Sequence, residues 1–205
     1  MLLSSSSCDT VSRDSTACEI RFPGRKAPEK IFYQNLSVAH IEHMHFLANS
    51  ALPVRYSRQF FKDILESKTG VALGAFSEDG ALVGMAVGDF LPLTMMPRRL
   101  QELGVRMSKT LCLMVLAVNK RFRRRGIGRR LVEIFKCPAR CPPVRQADAI
   151  YLHVMVENSP ALNLYEKAGF VRCALIPGYY RTDPPRDAYV LVKLLHAEQN
   201  WTDRR

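Results

Sequence analysis

A chain of 205 residues with 47% hydrophobic and 24% charged content has the size and make-up of one water-soluble globular domain with a sizeable core. No run is long and apolar enough to cross a bilayer as a helix, and no secretory hydrophobic segment precedes the six cysteines (8, 18, 112, 137, 141 and 173), which are expected as reduced thiols of an intracellular protein. The net charge of +11 fits an anionic ligand, an acidic partner surface or RNA, and does not by itself choose among them.

In chain order, residues 1–28 are rich in Ser, Thr and charge and read as a disordered extension, unlike a transit peptide in their Asp9, Asp14 and Glu19. Ile31 to Tyr33 fits a first strand. Ser37 can cap a helix striped by Ile41, Met44, Leu47 and Ala48. After the proline-broken link Leu52 to Tyr56, Ser57 caps a second helix with Phe60, Phe61, Ile64 and Leu65 on one side. Glu78-Asp79-Gly80 turns between strands around residues 71–76 and 82–87. Leu91 to Lys109, with two prolines and four basic residues, reads as a long connecting loop. Leu111 to Val118 is almost wholly apolar, as a strand covered on both faces requires. A helix follows with Leu131, Val132, Ile134 and Phe135 on its apolar side, and then a proline-rich loop, Cys137 to Arg145. Ala149 to Val156 is another buried strand. Ser159-Pro160 starts a helix faced by Ala161, Leu162, Tyr165 and Ala168 and ended by Gly169. Two last strands surround residues 171–176 and 188–195. The order βααβββαβαββ implies an α/β domain over residues 29–196, a mixed central sheet with helices on both faces, and a short polar tail at 197–205.

Arg123-Arg124-Arg125-Gly126-Ile127-Gly128-Arg129 stands between the apolar strand and the helix it feeds. Glycines at such a junction let backbone N–H groups approach a ligand without a Cβ in the way, and the helix dipole and arginines favour phosphate. The segment therefore reads as a pyrophosphate cradle, with an ordinary glycine turn beside solvated arginines as the plainer alternative. It lacks the Lys-Ser/Thr of a P-loop, and Leu131 stands where a dinucleotide fold would place its third glycine. Cys137 and Cys141 have no second Cys/His pair at zinc-finger spacing, so no metal site is expected.

These residues resemble the GCN5-related N-acetyltransferase superfamily, whose cofactor motif Q/R-x-x-G-x-G/A is matched by Arg123-x-x-Gly126-x-Gly128. The resemblance narrows to the NatE-type N-terminal acetyltransferases, the N-alpha-acetyltransferase 50 (San) family. Its carriers are Pro53-Val54-Arg55-Tyr56 with Phe61-Lys62-Asp63, Phe122 to Gly128, Ile150-Tyr151-Leu152-His153-Val154, and Asn158 through Gly169-Phe170 to Tyr179-Tyr180. It implies that acetyl-CoA lies between two splayed parallel strands, matching residues 111–118 and 149–156. The implied cofactor contacts are Leu116, Ala117, Val118, the run Arg123 to Arg129, Asn158, Ala161 and Tyr165. It also implies that a peptide N-terminus enters between the loop at Leu52–Tyr56 and the hairpin carrying Tyr179 and Tyr180. Leu52, Pro53, Val54 and Met114 would form an apolar socket, and Tyr56, Tyr179 and Tyr180 would bond the peptide backbone. One of the adjacent tyrosines is open to a core-packing role, because strand neighbours face opposite ways.

Acetyl transfer needs a neutral amine, and free α-amines have a pKa of roughly 8, so a base near 7 suffices. His153 matches the family's histidine; Tyr151, His153 and Met155 share one strand face. The chain departs from the family at Cys112, where NatE-type enzymes carry a tyrosine that shares the base role through ordered water. A cysteine there can relay a proton, pack inertly or be acetylated in passing. Leu52 replaces a phenylalanine, which widens the socket.

The expected activity is acetylation of protein N-termini, chiefly a retained methionine followed by a hydrophobic residue. NatF-type enzymes share the histidine strand and paired tyrosines but carry a membrane-binding extension; the residues after His196 are short and polar, and no membrane partner is expected. Other readings are an acetyltransferase acting on lysine or small amines, and a weakened acetyl-CoA-binding scaffold. The expected setting is the cytoplasm, with the nucleus also open, beside a NatA-like complex and the ribosome; no aromatic-basic motif points to direct nucleic-acid recognition.

Overall fold

The computed structural model describes residues 30–91 and 109–195. The sequence-expected extension at 1–28, most of the loop at 91–109 and the tail at 197–205 lie outside the described residues.

The elements follow the expected order: β1 (Phe32–Asn35), α1 (Ile41–Ala51), α2 (Arg58–Glu66), β2 (Val71–Phe76), β3 (Leu82–Phe90), β4 (Thr110–Val118), α3 (Ile127–Phe135), β5 (Ala149–Met155), α4 (Ser159–Lys167), β6 (Val171–Tyr180) and β7 (Arg186–Leu194). Boundaries moved where side chains outvoted periodicity. Ser37 starts a one-turn 3-10 segment, Val38–His40, before α1, with its N–H donating to Nδ1 of His40 at 3.0 Å. Ser57 caps α2 as expected, its hydroxyl accepting from the Phe60 N–H at 3.1 Å. The cap of α4 is Asn158 rather than Ser159: its side-chain oxygen accepts from the Ala161 N–H at 3.3 Å, and Ser159 and Pro160 are already inside the helix.

The strands form one seven-stranded sheet in the order β1-β2-β3-β4-β5-β7-β6. Every neighbouring pair is antiparallel except β4 and β5. Helices cover both faces. On one, Leu131 and Phe135 of α3 and Leu162 and Tyr165 of α4 pack with Leu111, Leu113, Ile150, Leu152 and Leu191. On the other, Met44, Leu47 and Ala48 of α1 and Phe61 and Ile64 of α2 pack with Met85, Val87, Val115 and Ala117. A third, smaller cluster, Cys112, Ala149, Tyr151, Val190 and Val192, lies on the sheet around the β4–β5 junction, and Met114 joins it to the α1–α2 cluster.

Two of the sheet's irregularities, one in β4 and one in the edge strand β6, shape the site. In β4, Val115 pairs with Val87 but Leu113 with Gly88, so Met114 has no partner and forms a bulge. The bulge resets the alternation: Cys112 and Met114 face one side, then Val115 and Ala117 face that same side, while Leu116 and Val118 turn towards α3. Gly88 makes this possible, since a Cβ there would stand 2.1 Å from the Cys112 carbonyl oxygen and 2.8 Å from the Phe135 ring. In β6, Ile176 pairs with Ala188 and Tyr180 with Arg186, so Pro177, Gly178 and Tyr179 bulge out opposite Asp187, whose carboxylate accepts from the Gly178 N–H at 2.8 Å.

Candidate active site

β4 and β5 run together for only three pairs, Thr110–Ala149, Leu111–Ile150 and Cys112–Tyr151. Beyond these the strands part, so the β4 edge carrying the Met114 bulge opens into a wedge with β5 on its far side. A strand edge without a neighbour leaves N–H and C=O groups for a ligand.

At the wide end of the wedge the chain leaves β4 through a 3-10 turn, Lys120–Phe122, and reaches α3 by way of Arg124 at φ +63° and Gly126 at φ +79°. A non-glycine residue at positive φ is uncommon, and its alternation with ordinary backbone curls successive N–H groups towards one concavity. Among the described residues, the N–H groups of Arg124, Gly126, Ile127, Gly128 and Arg129 donate to no backbone carbonyl; the first helical bond of α3 runs from Arg130 to the Gly126 carbonyl at 2.9 Å. The side chains of Arg124, Arg125 and Arg129 are exposed. Five backbone donors, a helix N-terminus and three cations together suit a diphosphate. Gly128 serves a different purpose from Gly126. A Cβ on it would meet Leu164 at 3.2 Å, so its smallness seats α3 against α4.

Across the wedge, His153 sits half-buried on β5. Its imidazole stacks on the Tyr179 ring with centroids 4.2 Å apart and planes 8° from parallel, and Tyr151 meets it edge-on at 5.9 Å. The Tyr180 hydroxyl donates to the His153 carbonyl at 3.2 Å. Both adjacent tyrosines thus reach the same residue, and neither is core. The bulge at 177–179 breaks the two-residue period on which the expectation of one core tyrosine rested. Burial pushes the His153 ring down to about 4, so the imidazole is neutral at physiological pH.

Cys112, at the apex of the fork, is buried, and burial pushes its thiol up to about 12. It is therefore protonated at neutral pH. Burial raises the hydroxyl pKa values of Tyr56, Tyr151, Tyr179 and Tyr180, Tyr179 to about 12, so all four are protonated at neutral pH; Cys112 packs with Tyr151 and Met114, and Met114 in turn borders Tyr56. Tyr165 on α4 is raised by burial first and then by Tyr180 and Tyr56, which ties α4 to the same cluster. Of the expected socket, Leu52 and Met114 pack on one cluster with Tyr56, whereas Pro53 is exposed and Val54 lies outside that cluster. The Tyr56 hydroxyl donates towards the Met114 carbonyl at 3.5 Å. Tyr56 of the acceptor loop thus meets the fork at Met114, and Tyr179 and Tyr180 of the β6–β7 hairpin meet it at His153. Asn158 and Ala161 lie past the end of β5 at the α4 N-terminus, where the Asn158 side-chain oxygen is occupied by its cap.

A family model described as Acetyltransferase (GNAT) family covers residues 41–170. The chain belongs to that family. Over 156 residues this GNAT-family chain is 29% identical to N-alpha-acetyltransferase 60 of Xenopus tropicalis, a match taking in 73% of this chain and 64% of the relative, less than two thirds of its length. It is also 29% identical over 158 residues to N-alpha-acetyltransferase 50 of Danio rerio, covering 77% of this chain and 84% of the relative. The crystal structure of Arabidopsis thaliana NAA60 in complex with a bisubstrate analogue shares the fold, with a TM-score of 0.68 and 22% identity over 80% of this chain and 98% of that one.

Two residues of this GNAT chain escape a reading by pattern. Asn49, near the end of α1, holds both backbone groups of Tyr56: its Nδ2 donates to the Tyr56 carbonyl at 3.1 Å and its Oδ1 accepts from the Tyr56 N–H at 3.0 Å. A polar residue in a helical stripe just before a proline break is the one signal it leaves in the sequence. Tyr151 is fully buried, and among the described residues its hydroxyl finds no oxygen or nitrogen partner and faces the weakly bonding Cys112 thiol.

Proposed function

We propose that this protein transfers the acetyl group of acetyl-CoA to the α-amine of protein N-termini, in the NatE manner, with a retained methionine followed by a hydrophobic residue as the preferred start. The observation that carries the reading is the fork itself: a diphosphate cradle at one mouth, and further in a neutral imidazole held by Tyr179 and Tyr180, with Tyr56 on the β4 side at Met114. Both relatives at 29% identity bear N-alpha-acetyltransferase names, one of each type, which supports the class more than the type.

In this reading the turn at Arg124–Arg129 holds the diphosphate, and the thioester reaches along the β4 edge to the Met114 bulge. The peptide amine enters over Met114 and Leu52. As nitrogen attacks the thioester carbon, its attached protons become acidic. His153, directly or through water, needs only weak basicity to take one, and the C–S bond then breaks with the proton returned to the thiolate. Cys112 remains a neutral wall of the site. A wall of hydroxyls without a carboxylate suits an uncharged amine better than an ammonium group.

An acetylation screen over N-terminal peptides varied at their first two positions, with a lysine peptide as control and release of the CoA thiol as the readout, tests this. Met-Leu and similar starts are expected to turn over well above the lysine control. Coenzyme binding without turnover of any N-terminal peptide would leave the scaffold reading in its place. We place the protein in the cytoplasm beside nascent chains, with a NatA-like complex and the ribosome as partners; its charge of +11 suits docking to an anionic surface.

A further inference from the structure

Arg123 opens the R-x-x-G-x-G pattern and is expected at the cofactor, yet its guanidinium is committed elsewhere. Nε donates to the Val118 carbonyl at 3.1 Å, and Nη2 donates to the Ala51 carbonyl at 2.9 Å. These carbonyls belong to the two halves of the reaction. Val118 ends β4 where the diphosphate turn begins, and Ala51 is the last residue of α1, from which the acceptor loop Leu52–Tyr56 departs. The last carbonyls of a helix lack intrahelical donors and carry partial negative charge, so a planar cation with donors in a fixed fork can hold one while gripping a second.

The far end of the acceptor loop is held separately, by Asn49 on the Tyr56 backbone and by the Tyr56 hydroxyl towards the Met114 bulge. Arg123 is followed directly by Arg124 in its left-handed conformation. Any settling of that turn on an anion therefore moves the root of the guanidinium that holds Ala51.

We propose that Arg123 is a positioning residue coupling the donor and acceptor sites: closure of the 123–129 turn on the coenzyme diphosphate sets the acceptor loop through the Arg123–Ala51 bond. The proposal rests on the reading of the site given above. Coenzyme binding then orders the loop and tightens the peptide, and removing the guanidinium uncouples the sites while leaving coenzyme affinity in place.

Hydrogen–deuterium exchange of residues 49–57 in the full chain, with and without saturating CoA, is compared for wild type, Arg123→Gln and Arg123→Lys, together with KM for acetyl-CoA and for a Met-Leu peptide. CoA is expected to slow exchange of the loop in wild type and to leave it unchanged in Arg123→Gln. That variant's peptide KM rises about tenfold, the worth of one charge-assisted hydrogen bond, while its acetyl-CoA KM stays within about twofold. Lysine keeps the charge without the fork and falls between the two. Three results would overturn the proposal: a wild-type loop that ignores CoA, a loop response that survives in Arg123→Gln, or a loss carried by the acetyl-CoA KM, which would make Arg123 a phosphate ligand. Should Arg123→Gln lose protection across the whole sheet, Arg123→Lys decides, a folded variant with a reduced loop response supporting the coupling and one with the full wild-type response overturning it. Failure of wild type on every N-terminal peptide counts against the function instead, and the exchange comparison still judges the coupling.

Discussion

His153 is held neutral by its surroundings, with no carboxylate acting on it, and its ring at about 4 lies well below the reference value of roughly 6.5. The pH dependence follows from the sign of that shift. Above about pH 5 the imidazole is already deprotonated, so kcat/KM has no ionisation of this residue left to report near 6.5. It rises instead with the neutral fraction of the substrate amine, levelling near 8. Because the folded state disfavours the protonated ring, stability falls as pH drops from about 6.5 towards 4, where the unfolded chain binds the proton first. His153→Ala is expected to lower kcat by about 10²-fold or more while acetyl-CoA affinity stays nearly constant, since the ring lies across the wedge from the diphosphate cradle. A wild-type limb near pH 6.5 that vanished in His153→Gln would show that the ring titrates as if exposed and would sink this account.

The elements differ in how far they declare themselves. Strands β4 and β5, the glycine turn and α3 are legible because each depends on local spacing: continuous apolar runs, a glycine needing positive φ at 126, an apolar face at helical period. The bulges at Met114 and at 177–179 are not legible, because a bulge is a relation between two strands and its cause lies on the partner. Gly88, on β3, is what lets β4 bulge, and Asp187, on β7, is what holds Gly178 out of register. Arg123 likewise looks like a ligand of the phosphate until Ala51, distant in sequence, is seen to take its Nη2. Gly88→Ala tests the strand-level reading. Its methyl group would press on the Cys112 carbonyl from 2.1 Å, so β3 and β4 must separate beside the fork. A loss of about 2–3 kcal/mol in urea unfolding is expected, with a larger fractional loss of activity than of folded protein. A change below about 0.5 kcal/mol would mean that the bulge is tolerant and not dictated by Gly88.

At the scale of the whole molecule, the fork divides the sheet into β1–β4 and β5–β7–β6, joined along the strands by the three pairs from Thr110 to Cys112 and beneath by the core under α3 and α4. A ligand reaching from the turn before α3 to the β5 side of the wedge spans the two halves, and so binds the folded state across its shortest strand pairing. Coenzyme A alone, without an acetyl group, is therefore expected to stabilise the protein. At a concentration of about 100 times its Kd the linkage amounts to about 2.7 kcal/mol, or about 5–10 °C in Tm for a domain of this size. Pantetheine, which lacks the diphosphate, is expected to give little shift, because the backbone N–H groups of Arg124, Gly126, Ile127, Gly128 and Arg129 lie at the turn it does not reach. A thermal melt with each compound separates the contributions. Equal shifts from both would move the binding energy from the turn to the wedge, and no shift from CoA would remove the coenzyme from the fork.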